Sequence, residues 1–151
     1  MDGIYSLIDK SCILLDKPMQ SIDEIIKILT DQLNKSMPNI ASTELMDKVV
    51  KNGFHTTCMG NKCAITHARC SSMEKSLIAV MRLKPEINLQ PHDKKNVKLI
   101  FLLVGPQKSS SYHLKILSRL ARILSHESFR EGLFNAPDAE SFFNLIKQEE
   151  K

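Results

Sequence analysis

The fold class follows first from the run Val97-Lys98-Leu99-Ile100-Phe101-Leu102-Leu103-Val104, which is almost continuously apolar and is closed by Gly105-Pro106. A strand that is buried on both faces has this continuous pattern, whereas a half-exposed strand alternates. Leu77 to Leu83 has the same texture, so both segments are predicted to be central strands of one sheet. Between them, Pro85 to Asn96 is predicted to form a loop with a turn.

Two long helices are predicted, one before and one after these strands along the chain. Ser21-Ile22-Asp23-Glu24 is a capping box, and apolar residues recur after it at helical spacing, which predicts a helix from about Ser21 to Lys35. Ser109-Ser110-Ser111 offers several N-caps for the second long helix. Its apolar face is predicted to comprise Leu114, Leu117, Leu120, Ala121 and Leu124.

Shorter elements complete the pattern. Ser42 or Thr43 can begin a short helix that ends near Asn52-Gly53 and buries Leu45, Met46, Val49 and Val50. Phe54 to Ile65 is predicted to form two short strands joined by a turn at Gly60-Asn61. Ser125 and Asp138 are predicted to cap two final helices, which contain Phe129 and Leu133, and Phe142, Phe143, Leu145 and Ile146, respectively. Helices interleaved with strands predict an α/β layer fold.

Length and composition exclude several classes of protein. A chain of 151 residues is of the size of one domain, so residues 1–151 are predicted to form a single unit. The net charge of +4 comes from scattered Lys and Arg, and the chain has two Tyr, six Phe and no Trp. Because base stacking therefore has few candidates, nucleic-acid binding is not expected.

The apolar segments also bear on localisation. The longest, Leu99 to Val104, is far shorter than the roughly 20 residues that span a bilayer, so no membrane insertion is expected. The N-terminus lacks the basic and apolar regions of a signal peptide, which favours a cytoplasmic protein. The four cysteines are then expected to be free thiols.

Candidate ligands and nucleophiles are densest between His55 and Cys70, a segment that also contains Cys58, Cys63 and His67. These five residues are evenly spread, whereas structural zinc sites use close ligand pairs separated by a loop, so a metal site is not favoured. A Cys-His nucleophile lacks a recognisable local signature, and no glycine-rich nucleotide loop is present. Cys58 and Cys63 are better interpreted as small buried hydrophobes.

The segment Gly60-Asn61-Lys62-Cys63-Ala64-Ile65-Thr66-His67-Ala68-Arg69 combines a glycine turn, a short apolar strand and a histidine at the end of that strand. It resembles the GxGxAIPHGR motif of the fructose- and mannitol-type enzyme IIA domains of the phosphoenolpyruvate-dependent sugar phosphotransferase system, and is most similar to their nitrogen-regulatory branch. The family's histidine is phosphorylated, so the resemblance implies that His67 is the phosphoryl acceptor. A neutral imidazole is a competent nucleophile near pH 7.

The resemblance covers nearly the whole chain and implies further site residues. His113, in Tyr112-His113-Leu114, corresponds to the family's second active-site histidine. Thr57 lies in Thr56-Thr57, which matches the family's Ser-Thr pair, and Lys51 falls where the family has an arginine near its active site. These three residues would supply an imidazole N–H, a hydroxyl and an ammonium to the phosphoryl group. His55, His92 and His126 have no such context and are predicted to lie on the surface.

Four positions depart from the family pattern. Lys51 replaces the arginine, and Lys62 and Ala68 each replace a glycine, which is costly only where the backbone φ is positive. Thr66 replaces a proline, which leaves φ before the histidine unfixed and adds a hydroxyl.

The resemblance also implies a fold and a reaction: a single α/β domain with a mixed sheet of about five strands flanked by helices, which accepts a phosphoryl group from an HPr-like carrier. No metal, nucleotide or organic cofactor is required. Three outcomes stay open: transfer onward to an enzyme IIB cysteine, regulation through phosphorylation-dependent binding, or a non-catalytic binding module. The absence of a fused IIB or membrane segment favours regulation.

Overall fold

The computed structural model describes residues 3–36, 47, 57–58, 61–71, 73–88 and 96–150. Within these residues one mixed sheet has the strand order β1-β4-β5-β3-β2. The strands are β1 (Ile8–Lys17), β2 (Thr57–Cys58), β3 (Cys63–Cys70), β4 (Leu77–Asn88) and β5 (Asn96–Pro106). β1 is parallel to β4 and β3 to β5, whereas β4 and β5, and β2 and β3, are antiparallel. The predicted α/β fold with about five strands is confirmed, although the edge strand β2 has only two residues.

The apolar run at Val97 to Val104 lies in the centre of this sheet. β5 pairs with β4 on one side and β3 on the other, and its residues from Leu99 to Val104 are buried. The prediction of a loop from Pro85 is wrong for its first part, because β4 continues to Asn88, and residues 89–95 lie outside the described residues. The β4–β5 register shifts between Arg82 and Ile87, so Pro85 lies where the regular ladder is interrupted and a missing N–H is tolerated.

The helices follow from local sequence signals. They are a 3₁₀ turn (Ile4–Leu7), α1 (Ile22–Ser36), α2 (Ser110–Leu124), α3 (Glu127–Asn135) and α4 (Ala139–Glu149). The Ser21 hydroxyl accepts the Glu24 N–H at 3.2 Å, which confirms the Ser21 half of the predicted capping box. The Glu24 carboxylate accepts the Gln20 N–H rather than that of Ser21. Asp138 caps α4 through the Ser141 N–H. The predicted helix around Leu45 to Val50 falls outside the described residues, apart from Asp47, which is helical.

Two predictions about the helices are wrong. α3 begins after His126 rather than Ser125, because the Ser125 hydroxyl donates to the Arg122 carbonyl and completes the end of α2 instead. The face of α2 is also rotated from the predicted one. Its buried residues are His113, Ile116, Leu120, Ile123 and Leu124, and Leu114 is 63% exposed. A stripe that begins at His113 excludes Leu114, which lies about 100° further round the helix.

The two faces of the sheet carry separate cores. α1 packs on one face against β-strand residues that include Ala64, Ala68 and Leu102. The 3₁₀ turn and α2 to α4 pack on the other, against residues that include Ile65 and Phe101. Because strand residues alternate between faces, β3 sends its odd-numbered side chains toward α2 and its even-numbered ones toward α1. Because His67 is odd-numbered, its side chain lies on the face of the sheet that α2 covers.

The carboxylate of Glu150 joins the two ends of the described chain. It accepts the N–H groups of Ile4 at 2.6 Å and Tyr5 at 2.9 Å, and its side chain is 4% exposed. Glu150→Ala is expected to destabilise the fold by about 2 kcal/mol, since two partly buried N–H groups lose a charged acceptor. Chemical denaturation measures this loss. Glu149→Ala is the control, and a cost as large there would contradict the assignment, because the Glu149 carboxylate bonds the exposed side chain of His126.

Lys62, one of the two residues that replace a family glycine, has a φ of 68°. A side chain is strained in this left-handed region, whereas glycine is not. Lys62 also forms an exposed ion pair with Glu86, so the informative comparison is between two variants that both lack the pair. Lys62→Gly is expected to be about 1 kcal/mol more stable than Lys62→Ala in denaturation. Equal stabilities would show that the backbone relaxes without glycine.

Candidate active site

His67 lies within β3, three residues before its end. β3 stays parallel to β5 as far as the pair Cys70 and Pro106, so the prediction that His67 terminates a strand is wrong. The parallel partner strand, which runs on to Pro106, holds β3 extended past the histidine. His67 is half-buried and shares its strand face with Cys63 and Ile65, the face covered by α2.

Thr66 lies on the opposite side of β3 from His67. It is 2% exposed and shares a face with Ala64 and Ala68, which pack in the core beneath α1. The regular β3–β5 ladder runs through it, so the backbone before His67 is held by the sheet without a proline. Its hydroxyl is therefore not available to the site. Ala68, on the same face, lies within this ladder, and its replacement of a family glycine is accommodated.

His113 comes to His67 from the first turn of α2. Its Nε2 lies 3.1 Å from Nδ1 of His67, and the two ring centroids are 5.1 Å apart with a 57° angle between the planes. At this distance one nitrogen donates a hydrogen bond to the other. The two histidines named by the sequence are therefore in direct contact, although 46 positions separate them.

Burial keeps the His113 imidazole neutral. His113 is 4% exposed, and desolvation lowers its pKa to about 4, with His67 and Arg69 contributing as neighbouring positive charges. At pH 7 the ring therefore carries one proton and can accept a hydrogen bond at the other nitrogen. Its Nδ1 is buried and has no hydrogen-bond partner within the described part of the chain.

Gly105 lies close to both the His113 ring and the hydroxyl of Ser76. A Cβ atom on Gly105 would lie 2.7 Å from the Ser76 hydroxyl oxygen and 3.4 Å from Nδ1 of His113. Glycine at position 105 thus allows the ring and the buried serine to approach β5. Sequence reasoning assigned Gly105 only to the end of a strand and did not consider Ser76, whose location depends on tertiary packing alone.

Arg69 is a second residue that the site prediction omitted, although it ends the quoted motif. It follows His67 by two positions on the same strand face, and its guanidinium donates to the Gln107 carbonyl at 3.2 Å. Its charge contributes to the low pKa of His113, so it lies within electrostatic range of the histidine pair. The site therefore includes a cation supplied by β3 itself.

The remaining candidates have different outcomes. Lys51, His55 and the side chain of Thr57 lie outside the described residues, and only the backbone of Thr57 is described, paired with Ile65. His126 is exposed, as predicted. Cys63 is buried, and burial raises the pKa of its thiol to about 12, so it is a protonated hydrophobe rather than a nucleophile or ligand.

The fold and the site together define an α/β domain in which a histidine on a parallel strand contacts a second, neutral histidine from the helix after the neighbouring strand. Residues 6–149 match the sequence profile of the family described as phosphoenolpyruvate-dependent sugar phosphotransferase system, EIIA 2. The chain therefore belongs to the enzyme IIA type 2 family of the phosphotransferase system.

Curated relatives differ in how much of their length this chain matches. It is 26% identical over 134 residues to a nitrogen regulatory protein of Pseudomonas aeruginosa, covering 88% of this chain and 87% of that protein. It is 29% identical over 147 residues to multiphosphoryl transfer protein 2 of Escherichia coli, covering 95% of this chain but only 17% of that protein. The chain thus corresponds to nearly the whole of one relative and to about a sixth of the other.

Solved structures agree with this placement. The nitrogen regulatory protein IIA-Ntr from Neisseria meningitidis superposes with a TM-score of 0.86 at 26% identity, over 95% of this chain and 98% of that one. The IIA mannitol structure from Escherichia coli shares the fold, with a TM-score of 0.74 at 15% identity over 91% of this chain and 97% of that one. The predicted likeness to the nitrogen-regulatory branch is confirmed. Separately, none of the described helices has the length and apolar character needed to span a bilayer.

Proposed function

We propose that this chain is a phosphocarrier that accepts a phosphoryl group on Nε2 of His67 from the phosphohistidine of an HPr-like carrier. The observation that carries the proposal is the 3.1 Å contact between Nδ1 of His67 and Nε2 of His113. Because His113 occupies Nδ1, the phosphorus bonds to the other ring nitrogen. Family membership supports the same phosphotransfer role.

The contact gives His113 the role of positioning the reactive tautomer. When Nδ1 of His67 donates its proton to Nε2 of His113, the lone pair of His67 is on Nε2 and can attack phosphorus. A neutral His113 is needed for this, since a protonated imidazole cannot accept, and its low pKa supports that state at pH 7. A second group that orients an imidazole is a recurring device of nucleophilic sites.

The transfer exchanges one nitrogen–phosphorus bond for another. Nε2 of His67 forms a bond to phosphorus while the bond to the donor histidine breaks, and that electron pair stays on the donor nitrogen. Each ring keeps the proton on its other nitrogen, so no net proton is released. Apart from this exchange the protein makes or breaks no covalent bond, so positioning and charge stabilisation dominate the rate of phosphoryl transfer.

Positive charge for the phosphoryl group is available from two described elements. Arg69 presents a guanidinium on the His67 face of β3. α2 begins at Ser110, has no acidic residue in its first turn, and makes no side-chain cap through Ser109. Its uncapped N–H groups and helix dipole favour an anion near its N-terminus, beside His113. Lys51 and Thr57 are proposed to add an ammonium and a hydroxyl.

The proposed context is a regulatory one in the cytoplasm, in which the phosphorylation state of His67 changes what the protein binds. Similarity over 87% of the Pseudomonas aeruginosa nitrogen regulatory protein and 98% of the Neisseria meningitidis IIA-Ntr chain supports this branch. A second candidate is sugar transport, with transfer onward to a cysteine of an enzyme IIB domain. It is favoured by the 32% identity over 98 residues, which cover 65% of this chain and 64% of the relative, to a fructose-specific EIIA component of Haloferax volcanii.

Phosphorylation of the wild-type chain tests the proposal. Incubation with phosphoenolpyruvate, enzyme I and an HPr-like carrier should add one phosphoryl group, acid-labile and base-stable, as intact-mass spectrometry detects. Nitrogen-15 NMR of the histidine rings should locate it on Nε2 of His67. No labelling of the wild type would overturn the phosphocarrier proposal and favour a binding module. Loss of the label to an added IIB domain would favour transport over regulation.

A further inference from the structure

The position of the proton on His113 determines whether His67 can react. A neutral imidazole carries one proton, on one of its two ring nitrogens. If His113 carries it on Nε2, that nitrogen donates to Nδ1 of His67, and the proton of His67 then blocks the Nε2 that has to attack phosphorus. If His113 carries it on Nδ1, its Nε2 accepts from His67 and the attacking lone pair is free. Phosphoryl transfer therefore needs the Nδ1-protonated form of His113.

The contact between the two histidines does not select this form by itself. Either tautomer of His113 makes the same hydrogen bond to His67, with donor and acceptor exchanged. The other ring nitrogen of His113, Nδ1, is buried and has no hydrogen-bond partner among the described residues. A buried N–H without an acceptor is costly, so a group that accepts from Nδ1 would decide which tautomer forms.

Ser76 lies where such an acceptor is needed. It is buried and directly precedes β4, whose first residue, Leu77, pairs with Val104 of β5. A Cβ atom built on Gly105 would lie 2.7 Å from the Ser76 hydroxyl oxygen and 3.4 Å from Nδ1 of His113. The oxygen and the nitrogen therefore border the same small space, which glycine at position 105 leaves open.

We propose that Ser76 is a positioning residue for phosphoryl transfer, and that its hydroxyl oxygen accepts the Nδ1–H of His113 across this space. The proposal rests on the proposed function and adds a third member to its hydrogen-bonded chain, in which Ser76 orients His113 and His113 orients His67. Rotation of the serine side chain, or one water molecule between the two atoms, supplies the reach. Hydrogen bonds between catalytic groups are often long in the unliganded protein and shorten when the reacting group binds.

A hydroxyl group is the kind of acceptor that this position requires. Arg69, the cation near the pair, only donates hydrogen bonds, and His67 already occupies the other nitrogen of His113. A carboxylate beside Nδ1 would stabilise the protonated imidazolium, which cannot accept from His67. A neutral serine oxygen fixes the tautomer of His113 and leaves its pKa low, so both conditions for transfer are satisfied together.

Nitrogen-15 NMR of the unphosphorylated protein tests the proposal without any donor. At about pH 8, where imidazoles of ordinary pKa are neutral, both His113 and His67 of the wild type should carry their protons on Nδ1. Ser76→Ala should shift His113 toward the Nε2-protonated form, whereas Ser76→Thr keeps the hydroxyl and should keep the wild-type tautomers. The control is Thr30→Val, which removes a buried hydroxyl from α1 on the other face of the sheet and should change neither ring. A wild-type His113 protonated on Nε2, or unchanged tautomers in Ser76→Ala, would overturn the proposal.

Rapid-quench kinetics with a saturating phosphorylated HPr-like carrier supply the second readout. Ser76→Ala is expected to lower kcat about tenfold and to leave KM nearly unchanged, because the tautomer rather than donor binding is affected. Ser76→Thr and Thr30→Val should stay within about twofold of the wild type. A wild type that is not labelled would defeat the proposed function and this inference with it. A labelled wild type with an equally fast Ser76→Ala would overturn the role of Ser76 alone.

Gly105→Ala tests the same contact from the opposite side. Its added Cβ fills the space between the serine oxygen and the His113 ring, so this variant should also transfer about tenfold more slowly. The double variant Ser76→Ala/Gly105→Ala should be no slower than Gly105→Ala, since both changes break one interaction. It also lacks the oxygen that the new Cβ would meet at 2.7 Å, which favours its folding. Circular dichroism and melting check each variant, and rate losses that multiply in the double variant would contradict a shared contact.

Discussion

We expect His67→Ala to acquire no phosphoryl group under conditions that label the wild-type chain completely. The variant lacks the imidazole whose Nδ1 contacts His113, and the alanine methyl group can neither attack phosphorus nor form a phosphoramidate bond. His67 is half-buried on the face of β3 that carries the site, so truncation should leave the sheet intact. Intact-mass spectrometry after incubation with the complete donor system measures the loss.

The matched control for His67→Ala is His126→Ala. His126 is also a histidine, but it is exposed, directly precedes α3 and bonds Glu149 rather than another imidazole. We expect this variant to be labelled as fully as the wild type. Stoichiometric acid-labile labelling of His67→Ala would contradict the assignment and would direct attention to the other histidines. A circular dichroism spectrum equal to that of the wild type shows that loss of labelling does not reflect unfolding.

Elements with strong local signals were predictable from the sequence. The continuous apolar run of β5, the Ser21 cap of α1 and the Asp138 cap of α4 each depend on neighbouring residues alone. Their structures agree with prediction because short-range hydrogen bonding and burial act in the same direction. The extent of β4 past Pro85 was missed, because an irregular ladder tolerates a proline that sequence patterns treat as a breaker.

The site was predictable only in part, for a related reason. Similarity to two family sequence motifs identified His67 and His113 as site residues. Their contact, however, arises because β3 and β5 are parallel neighbours and α2 follows β5 directly. Gly105 has no local signature for its role, since that role comes from its proximity to the His113 ring and the Ser76 hydroxyl. Similarly, Thr66 differs from the family's proline next to the reactive residue, but strand alternation directs it into the other core.

We expect His113→Ala to slow phosphorylation of His67 by about 100-fold without changing the final extent of labelling. The nucleophile is still present, but no group holds its proton on Nδ1, so the reactive tautomer is no longer favoured. Rapid-quench kinetics with saturating donor separate this rate from the endpoint. Because positioning rather than binding is lost, the decrease should fall on kcat rather than KM. Wild-type rates in this variant would contradict the positioning role while leaving His67 as acceptor.

The low pKa of His113 adds a signature that a purely structural residue would lack. Its pKa is about 4 in the folded protein and about 6.5 when exposed, so between these values the unfolded chain binds more protons. Wild-type stability should therefore fall as pH decreases from about 6.5 toward about 4. His113→Gln removes the titrating group and should flatten that decline in denaturation curves. An unchanged slope would mean that His113 is not held neutral by burial. Its ability to accept the His67 proton would then lose its physical basis.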